Sequence, residues 1–142
     1  MNPRDFHKLA SELVKENTPA NLRTAISRAY YAVYNVGVEI LKEMDFKVDS
    51  GPGGHGRVRM QFENCGIEKI IAAASKMGNL QSNRIKADYN LEKKRVENQK
   101  TVEAIIKDAE DVISALDSCC KEPIRTNAFK AIQTYRRETY CS

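Results

Sequence analysis

The chain of 142 residues lacks any stretch of about 18 consecutive apolar residues, so we expect no membrane-spanning helix. Its N-terminal segment, MNPRDFHKLA, has no apolar core typical of a signal peptide, so we expect no secretory leader. The cysteines are Cys65, Cys119, Cys120 and Cys141. They form no C-x-x-C pair, and only His7 and His55 could complete a metal site with them. We therefore predict a cytoplasmic protein with reduced thiols and no metal.

Signatures of the common enzyme classes are also absent. No Ser-His-Asp, paired-carboxylate or glycine-rich dinucleotide signature is visible, so we expect no cofactor. The run GGHGRVR, residues 53–59, is not followed by the Gly-Lys-Ser or Gly-Lys-Thr of a P-loop. His55 in this run has two interpretations. It is an ordinary histidine in a mobile loop, or part of an anion site with Arg57 and Arg59 at a helix start.

The charge of the chain is only mildly positive, with a net charge of +4 and an isoelectric point of about 8.9. This balance permits RNA or another anionic partner without requiring one, because DNA-binding domains usually concentrate their charge more strongly. Two basic clusters, residues 93–95 and 136–137, are interpreted as solvated faces, with contact to RNA as the alternative.

The first half of the sequence has a clear helical periodicity. Residues 19–44 form the strongest predicted helix, with an apolar stripe at 3.6-residue spacing. Asn2 and Thr18, each followed by a proline, are start signals for the first two helices. Residues 45–56 are predicted to be a flexible loop, because four glycines and a proline interrupt the pattern.

The second half of the chain also reads as helical. Helix resumes near Arg57, with a break predicted at Gly66 and another break or turn around residues 77–79. The polar run EKKRVENQK, residues 92–100, is predicted to be a solvated linker or an exposed helix start. A second strongly amphipathic helix covers residues 102–116, and a short last helix closes the chain.

No segment shows convincing β alternation, so the sequence predicts an all-α fold. We expect an antiparallel up-and-down bundle of four main helices with one or two short additional helices. Residues 1–142 are interpreted as one domain, with a core at about 5–117 and a C-terminal helical extension at 123–140.

One side of the 19–44 helix is unusual for a solvent-facing surface. Arg28, Tyr31, Asn35 and Val38 lie opposite the apolar stripe. Aromatic and apolar groups there predict that another helix, or a second copy of the chain, covers this side as well. The alternative is one or two exposed aromatic side chains, which are common in proteins.

The run NRIKADYN, residues 83–90, contains the main candidate site. Arg84 and Asp88 are four residues apart and share a helix face, as in a surface ion pair. Arg84 and Tyr89 are separated by about 140° around an ideal helix. They would therefore meet only if the helix bends or if a second subunit contributes.

Several segments, taken in order, resemble HEPN domains (higher eukaryotes and prokaryotes nucleotide-binding). They are RTAISRAYYAVYNVGVEIL at 23–41, His55 after a glycine-containing loop, RIKADYN at 84–90, and the amphipathic helix at 102–116. The resemblance covers roughly residues 5–117 and is to small stand-alone prokaryotic members, some of which lie beside a minimal nucleotidyltransferase. It implies a bundle of four or five helices that commonly dimerises. Many such domains are metal-independent endoribonucleases, often toxins, whose motif arginine and a histidine four to six residues later form a composite cleft across the dimer.

The sequence departs from this motif at the position of the histidine, where Tyr89 stands. A histidine titrates at about 6.5 and can move the proton of a ribose 2′-hydroxyl, whereas a tyrosine titrates at about 10 and is a poor base. Lowering the pKa of the phenol would need about 1.4 kcal/mol per unit from nearby cations. Arg84 alone could supply only part of that energy, so we expect RNA cleavage to be weak or absent.

These observations predict a non-catalytic or weakly active HEPN-type dimer that binds nucleotide or RNA, or a partner protein such as a minimal nucleotidyltransferase in a toxin–antitoxin-like pair. The predicted ligand-binding residues are Arg84, Asp88, Tyr89, Arg28 and Tyr31. Arg84 would hold phosphate or fix the interface, and Tyr89 would donate a hydrogen bond or stack on a base. One alternative is a metal-independent endoribonuclease that uses Arg84 with Tyr89 or His55. A second alternative is a structural helical bundle with no ligand.

Overall fold

The computed structural model describes residues 1–49 and 51–140, and six α-helices lie in that part of the chain. They are α1 (Arg4–Glu16), α2 (Pro19–Glu43), α3 (Gly54–Glu63), α4 (Glu68–Tyr89), α5 (Gln99–Asp117) and α6 (Ile124–Tyr140). Two 3₁₀ turns, Lys94–Glu97 and Ser118–Cys120, flank α5. The described residues include no β-strand, which confirms the predicted all-α helical bundle. None of these helices combines the length and apolar composition needed to cross a membrane.

The side chains that are predicted to start the first two helices each accept a hydrogen bond from the main chain. Thr18 Oγ1 accepts a hydrogen bond from the Asn21 backbone N–H at 3.3 Å, and Pro19 is the first residue of α2. Asn2 Oδ1 accepts from the Arg4 backbone N–H at 3.0 Å. Thr18 is the N-cap of α2, and a cap of this kind stabilises a helix by about 1 kcal/mol, whereas Pro3 stands at the N-cap of α1.

α2 lies at the centre of the bundle, in contact with α1, α4 and α5. Ala25, Ala29 and Ala32 are fully buried, and these small side chains let neighbouring helices approach α2 closely. Leu22 and Ile26 on the same helix are also buried, and burial of each such side chain contributes about 1.5–3 kcal/mol. The 19–44 helix is therefore covered on more than one side within a single chain.

The loop before α3 is shorter than the sequence predicts. α3 begins at Gly54, so His55 lies in the first helical turn and not in a loop. Gly53 caps the helix with φ +81°, a backbone conformation that favours glycine. A Cβ on Gly54 would lie 2.6 Å from the Asp49 carbonyl oxygen, so a glycine is needed where the loop packs against the helix. These glycines serve a tight turn and a close approach; Ser50, within the predicted loop, lies outside the described residues.

α4 is continuous over Glu68–Tyr89, so the predicted break around residues 77–79 is wrong. Gly78 has a packing role instead, because a Cβ there would lie 3.2 Å from Nη1 of Arg59 on α3. The break predicted at Gly66 is confirmed, since this residue has φ +77° and separates α3 from α4.

The C-terminal part of the chain is more ordered than expected. The polar run at 92–100 contains a 3₁₀ turn in which Val96 is buried, so it is not simply a solvated linker. The last helix, α6, agrees with the predicted helical extension at 123–140 and, with 17 residues, is longer than the short helix expected. Among the described cysteines, Cys65, Cys119 and Cys120 are free thiols, and Cys141 lies outside the described residues.

Candidate functional site

The candidate site forms where the end of α4 meets the middle of α2. Arg84 lies near the C-terminus of α4, and its guanidinium carbon Cζ is 5.6 Å from the ring centroids of both Tyr30 and Tyr31. The ring of Tyr89, the last residue of α4, lies 6.0 Å from the same carbon. Cation–π contacts of this kind contribute about 0.5–2 kcal/mol each. Three aromatic rings therefore fix the position of one guanidinium.

The Arg84 guanidinium is desolvated but has few acceptors. Only 12% of the Arg84 side chain is exposed. Its Nε is buried and has no hydrogen-bond partner among the residues that the structure describes. Oδ2 of Asp88, one turn later in α4, is 3.8 Å from Nη1, too far for a hydrogen bond. Because an arginine carries five N–H donors, this side chain can still bind an anion through charge-assisted hydrogen bonds.

Asp88 is also held from α2. Ser27 Oγ donates a hydrogen bond to Asp88 Oδ2 at 3.3 Å, and Arg28 Nη2 donates to Ser27 Oγ at 3.4 Å. The Arg28 guanidinium lies 5.2 Å from the Tyr31 ring and 4.9 Å from the ring of Phe6 on α1. The structure thus brings the predicted residues Arg28, Tyr31 and Asp88 into one region, and α1 covers part of the side of α2 that carries them.

α3 adds a histidine to these rings. The His55 ring stacks on that of Tyr34, with centroids 4.1 Å apart and planes inclined by 11°. Its Nδ1 is 2.6 Å from the Tyr30 hydroxyl, and its ring centroid is 6.1 Å from that of Tyr31. Sequence alone does not place His55 near Arg84, whereas in the structure both residues contact the rings of Tyr30 and Tyr31. We refer to these side chains together as the Arg84 cluster: Arg84, Tyr30, Tyr31, Tyr89 and His55.

The protonation of His55 follows from its surroundings. Burial, reinforced by the positive charge of Arg84, lowers the pKa of His55 below its ordinary value of 6.5, so the imidazole is neutral at neutral pH. Burial raises the pKa of Tyr30, so this phenol keeps its proton. We therefore assign the Tyr30 hydroxyl as the donor to His55 Nδ1. In this tautomer the imidazole proton is on Nε2. The basic nitrogen, Nδ1, already accepts the hydrogen bond from the Tyr30 hydroxyl.

The influence of Arg84 on His55 can be measured directly. We expect Arg84→Gln to raise the pKa of His55 toward 6.5, because a positive charge that disfavours the imidazolium is removed. The pKa should stay below 6.5, because burial is the larger cause and remains. A proton NMR titration of the imidazole C–H resonances, with His7 assigned from a His7→Gln variant, measures this shift. An unchanged His55 midpoint in a folded Arg84→Gln protein would contradict the proximity of the two charges.

Arg23, which the sequence reasoning missed, holds the end of α4 in place. The side chain is 9% exposed, and its Nε donates to Glu97 Oε1 at 3.1 Å. Its two terminal nitrogens donate to five main-chain carbonyl oxygens at 2.9–3.2 Å, those of Lys86, Ala87, Asn90, Leu91 and Lys93. The last carbonyls of a helix have no partner within the helix, so Arg23 supplies donors to a region that would otherwise need water, although the Lys86 and Asn90 carbonyls also accept from main-chain N–H groups. It thereby fixes the backbone on both sides of Tyr89.

A spacing signal in α2 could have identified this residue. Arg23, Ser27, Tyr30 and Tyr34 recur at i, i+4, i+7 and i+11, which places them along one helix face. Charged and polar groups on one face of an otherwise apolar central helix require partners, because burial without hydrogen bonds is costly. Here the partners are the end of α4 and the start of α3.

Tyr89 is the most exposed ring of the Arg84 cluster, with 71% of the residue exposed. The expected separation from Arg84 around the helix does not keep the two apart, because α4 ends at Tyr89 and the ring comes within 6.0 Å of Arg84 Cζ. A bend or a second subunit is therefore not needed for this contact. An exposed aromatic ring beside a guanidinium can stack on a nucleic-acid base or on a ring of a partner.

No protein-family model, no curated protein and no solved structure matches this chain. Any functional assignment therefore depends on the geometry of the molecule itself. In the Arg84 cluster Tyr30 is buried and Tyr89 is exposed, and two cavities of about 510 Å³ and 500 Å³ are lined by other residues. An exposed ring outside any of these cavities suits a polymer or a protein better than an enclosed small molecule.

Proposed function

We propose that this chain is a HEPN-type helical protein that binds single-stranded RNA or nucleotide at the Arg84 cluster and cleaves RNA weakly or not at all. The observation that carries the proposal is the Arg84 guanidinium, which three rings position and whose Nη1 lies 3.8 Å from the Asp88 carboxylate, beyond hydrogen-bond distance. Such a group fits a backbone phosphate, and the exposed Tyr89 ring beside it fits a base.

Two features support weak or absent cleavage. Tyr89 stands at the motif position where a histidine would act, and the phenol of a tyrosine can donate a hydrogen bond but is a poor base. His55 is neutral, but its Nδ1 accepts from the Tyr30 hydroxyl, so the nitrogen that could take a proton is engaged. A general base must be free to accept the proton that it removes, and neither residue meets that requirement.

The second candidate function is metal-independent endoribonuclease activity that uses His55 with Arg84. It is favoured by one observation, namely that both side chains contact the rings of Tyr30 and Tyr31. A base of lowered pKa next to a phosphate-binding arginine is the pairing that RNA cleavage needs. In this reading the bond between Tyr30 and His55 opens when the substrate binds.

Dimerisation belongs to the same proposal. A groove of about 510 Å³ between α1 and α2 is lined by Phe6, Asn35 and Val38, on the half-exposed side of α2. A second copy of the chain seated there would cover this side and bring two Arg84 clusters closer together. A cytoplasmic partner such as a small nucleotidyltransferase is the alternative occupant. Light scattering that shows a monomer at micromolar concentration would argue against the dimer.

RNA binding tests the proposed function. We expect Arg84→Ala to weaken the binding of a labelled single-stranded RNA by about 10- to 100-fold, because a hydrogen bond to a charged group contributes about 1.5–3 kcal/mol. Tyr89→Ala should weaken binding through the loss of one stacking platform, while Tyr89→Phe should retain most of the affinity. Fluorescence anisotropy in EDTA at fixed salt measures these effects, with Arg125→Ala on α6 as the matched surface control.

The same samples, resolved on a gel, distinguish the candidates. Intact RNA that binds to wild-type protein, but not to Arg84→Ala, agrees with the binding proposal. Fragments that disappear in both Arg84→Ala and His55→Ala establish the endoribonuclease instead. Binding that is equal in wild-type and Arg84→Ala proteins would overturn both.

A further inference from the structure

A cavity of about 500 Å³ lies beside α3 and shares no lining residue with the Arg84 cluster. Three separate segments form it: residues 47–49 before α3, the first turns of α3, and the end of α6. Val48 and Val58 supply apolar wall, and Tyr140 supplies an aromatic ring and a hydroxyl. The volume is that of a site for a small organic molecule.

The charge of the cavity wall is unbalanced. Lys47, Arg57 and Arg136 line it, and Asp49 is the carboxylate among the lining residues. The cations therefore exceed the carboxylate by two charges, which a dianion would neutralise. Positive charges that converge in a cleft raise the local concentration of anions, because the low-dielectric walls focus the field.

Arg136 is fixed in the wall of this cavity. Its Nη1 donates to the Oε1 of Gln61, a residue that is only 2% exposed, and its Nη2 donates to the Lys47 carbonyl oxygen at 3.0 Å. Its guanidinium also lies 5.0 Å from the Phe46 ring and 5.2 Å from the Tyr140 ring. A guanidinium fixed in this way loses little conformational freedom when it binds a ligand.

Arg57 is positioned from the opposite wall. Its Nη2 donates to Asp49 Oδ2 at 2.7 Å and to the Pro52 carbonyl oxygen at 2.7 Å. Its Nε is buried without a hydrogen-bond partner among the described residues. Since Gly54 allows the Asp49 backbone to approach α3 closely, the loop holds this arginine next to the cavity. Two arginines thus line the same cavity from α3 and α6, and Lys47 lines it from the segment before α3.

We propose that this cavity binds a phosphate monoester with an apolar or aromatic body. The dianionic phosphate matches the two excess positive charges, and arginine forks bind phosphate oxygens in pairs. The apolar body packs against Val48, Val58 and the Tyr140 ring. This site is separate from the Arg84 cluster and does not depend on the proposed function, because the two share no lining residue.

Phenyl phosphate, inorganic phosphate and phenol are suitable probes, because each carries a different part of the proposed ligand. We expect isothermal titration calorimetry of the full chain to show saturable binding of phenyl phosphate, weaker binding of inorganic phosphate and no binding of phenol. Lys47→Gln and Arg57→Gln should each weaken the binding of phenyl phosphate by about tenfold or more, since a hydrogen bond to a charged group contributes about 1.5–3 kcal/mol. Arg137→Gln, next to Arg136 but outside the cavity wall, is the matched control and should bind as wild type does.

Several outcomes would overturn the proposal. They are no saturable binding of phenyl phosphate, equal binding of phenol, and affinity that is unchanged in both Lys47→Gln and Arg57→Gln. Lys47 is exposed, so its variant tests the site without risk to the fold. Arg84→Ala should leave phenyl phosphate binding intact, which separates this site from the RNA-binding proposal. Loss of phenyl phosphate binding in Arg84→Ala alone would assign the ligand to the Arg84 cluster and refute this cavity.

Discussion

Replacement of Arg23 by alanine is expected to lower the free energy of unfolding by about 3–5 kcal/mol, the effect of breaking a buried charged network. The substitution removes the donor to Glu97 and to five main-chain carbonyl oxygens at and after the end of α4, of which those of Lys86 and Asn90 keep a main-chain donor. Unsatisfied buried acceptors each cost about 1–3 kcal/mol unless water reaches them. A single-domain protein has only about 5–15 kcal/mol of stability, so this loss is a large fraction of it.

Urea denaturation followed by circular dichroism measures this change. Arg23→Lys should fall between wild type and Arg23→Ala, because an ammonium keeps the charge but cannot reach as many oxygens at once. Arg125→Ala, an exposed arginine on α6, is the control and should stay within about 0.5 kcal/mol of wild type. If Arg23→Ala unfolds at the same urea concentration as Arg125→Ala, the carbonyl network does not stabilise the protein.

Arg23→Ala should also weaken RNA binding without removing any proposed RNA contact. The residue holds the backbone before and after Tyr89, at Ala87 and Asn90, so its loss frees the exposed ring to move. A positioning role predicts that RNA affinity falls even under conditions where the Arg23→Ala protein is fully folded. Affinity equal to that of wild type under those conditions would limit Arg23 to a purely structural role.

Phe62→Ala is expected to be similarly destabilising, by about 3–5 kcal/mol, because it leaves a cavity in the core. The Phe62 side chain is fully buried, and α2 presents Gly37 to it: a Cβ on Gly37 would lie 3.2 Å from Phe62 Cε2. The absence of a side chain at Gly37 lets the ring pack against the backbone of α2. Phe62 therefore anchors α3 to α2, and this anchor brings His55 to the rings of Tyr30 and Tyr34.

Two measurements separate this anchor from a general loss of packing. Urea denaturation gives the stability, and the NMR titration of His55 gives its environment. We expect the pKa of His55 to rise in Phe62→Ala, because burial is the main cause of its depression and a loosened α3 reduces that burial. Met60→Ala, at a 42% exposed position on α3, should leave both readings close to wild type. An unchanged His55 titration in Phe62→Ala would show that α3 docks through other contacts.

The predictions from sequence that the structure confirms are those that depend on residues close together in the chain. The start of α2 depends on Thr18 and Pro19, which lie next to each other in the sequence, and the stripe of buried residues in α2 follows from helical spacing. Glycines were the main source of error. Gly53 and Gly54 indicated a long loop, and Gly78 indicated a break. In the structure Gly54 instead leaves room for the Asp49 carbonyl oxygen, and Gly78 leaves room for the Arg59 side chain.

The candidate site could be predicted only in part for the same reason. Arg84 and Tyr89 are close in the sequence, and the motif they form is visible there. The bond between Tyr30 and His55 joins residues 25 positions apart, and it depends on how α3 docks, which no local pattern specifies. Apart from Glu97, Arg23 acts on carbonyl groups, which every residue carries, so these partners leave no mark in the sequence.

The bonds between Arg23 and main-chain oxygens affect how the sequence of the segment after α4 can change in evolution. A guanidinium can bind main-chain carbonyl oxygens whichever amino acids supply them, because every residue, including proline, has one. Positions such as Leu91 and Lys93 are therefore free to mutate with little effect on the path of the chain, while the one distant arginine is not. Diversity in this segment would alter the chemistry of the surface around Tyr89 and leave its geometry as it was.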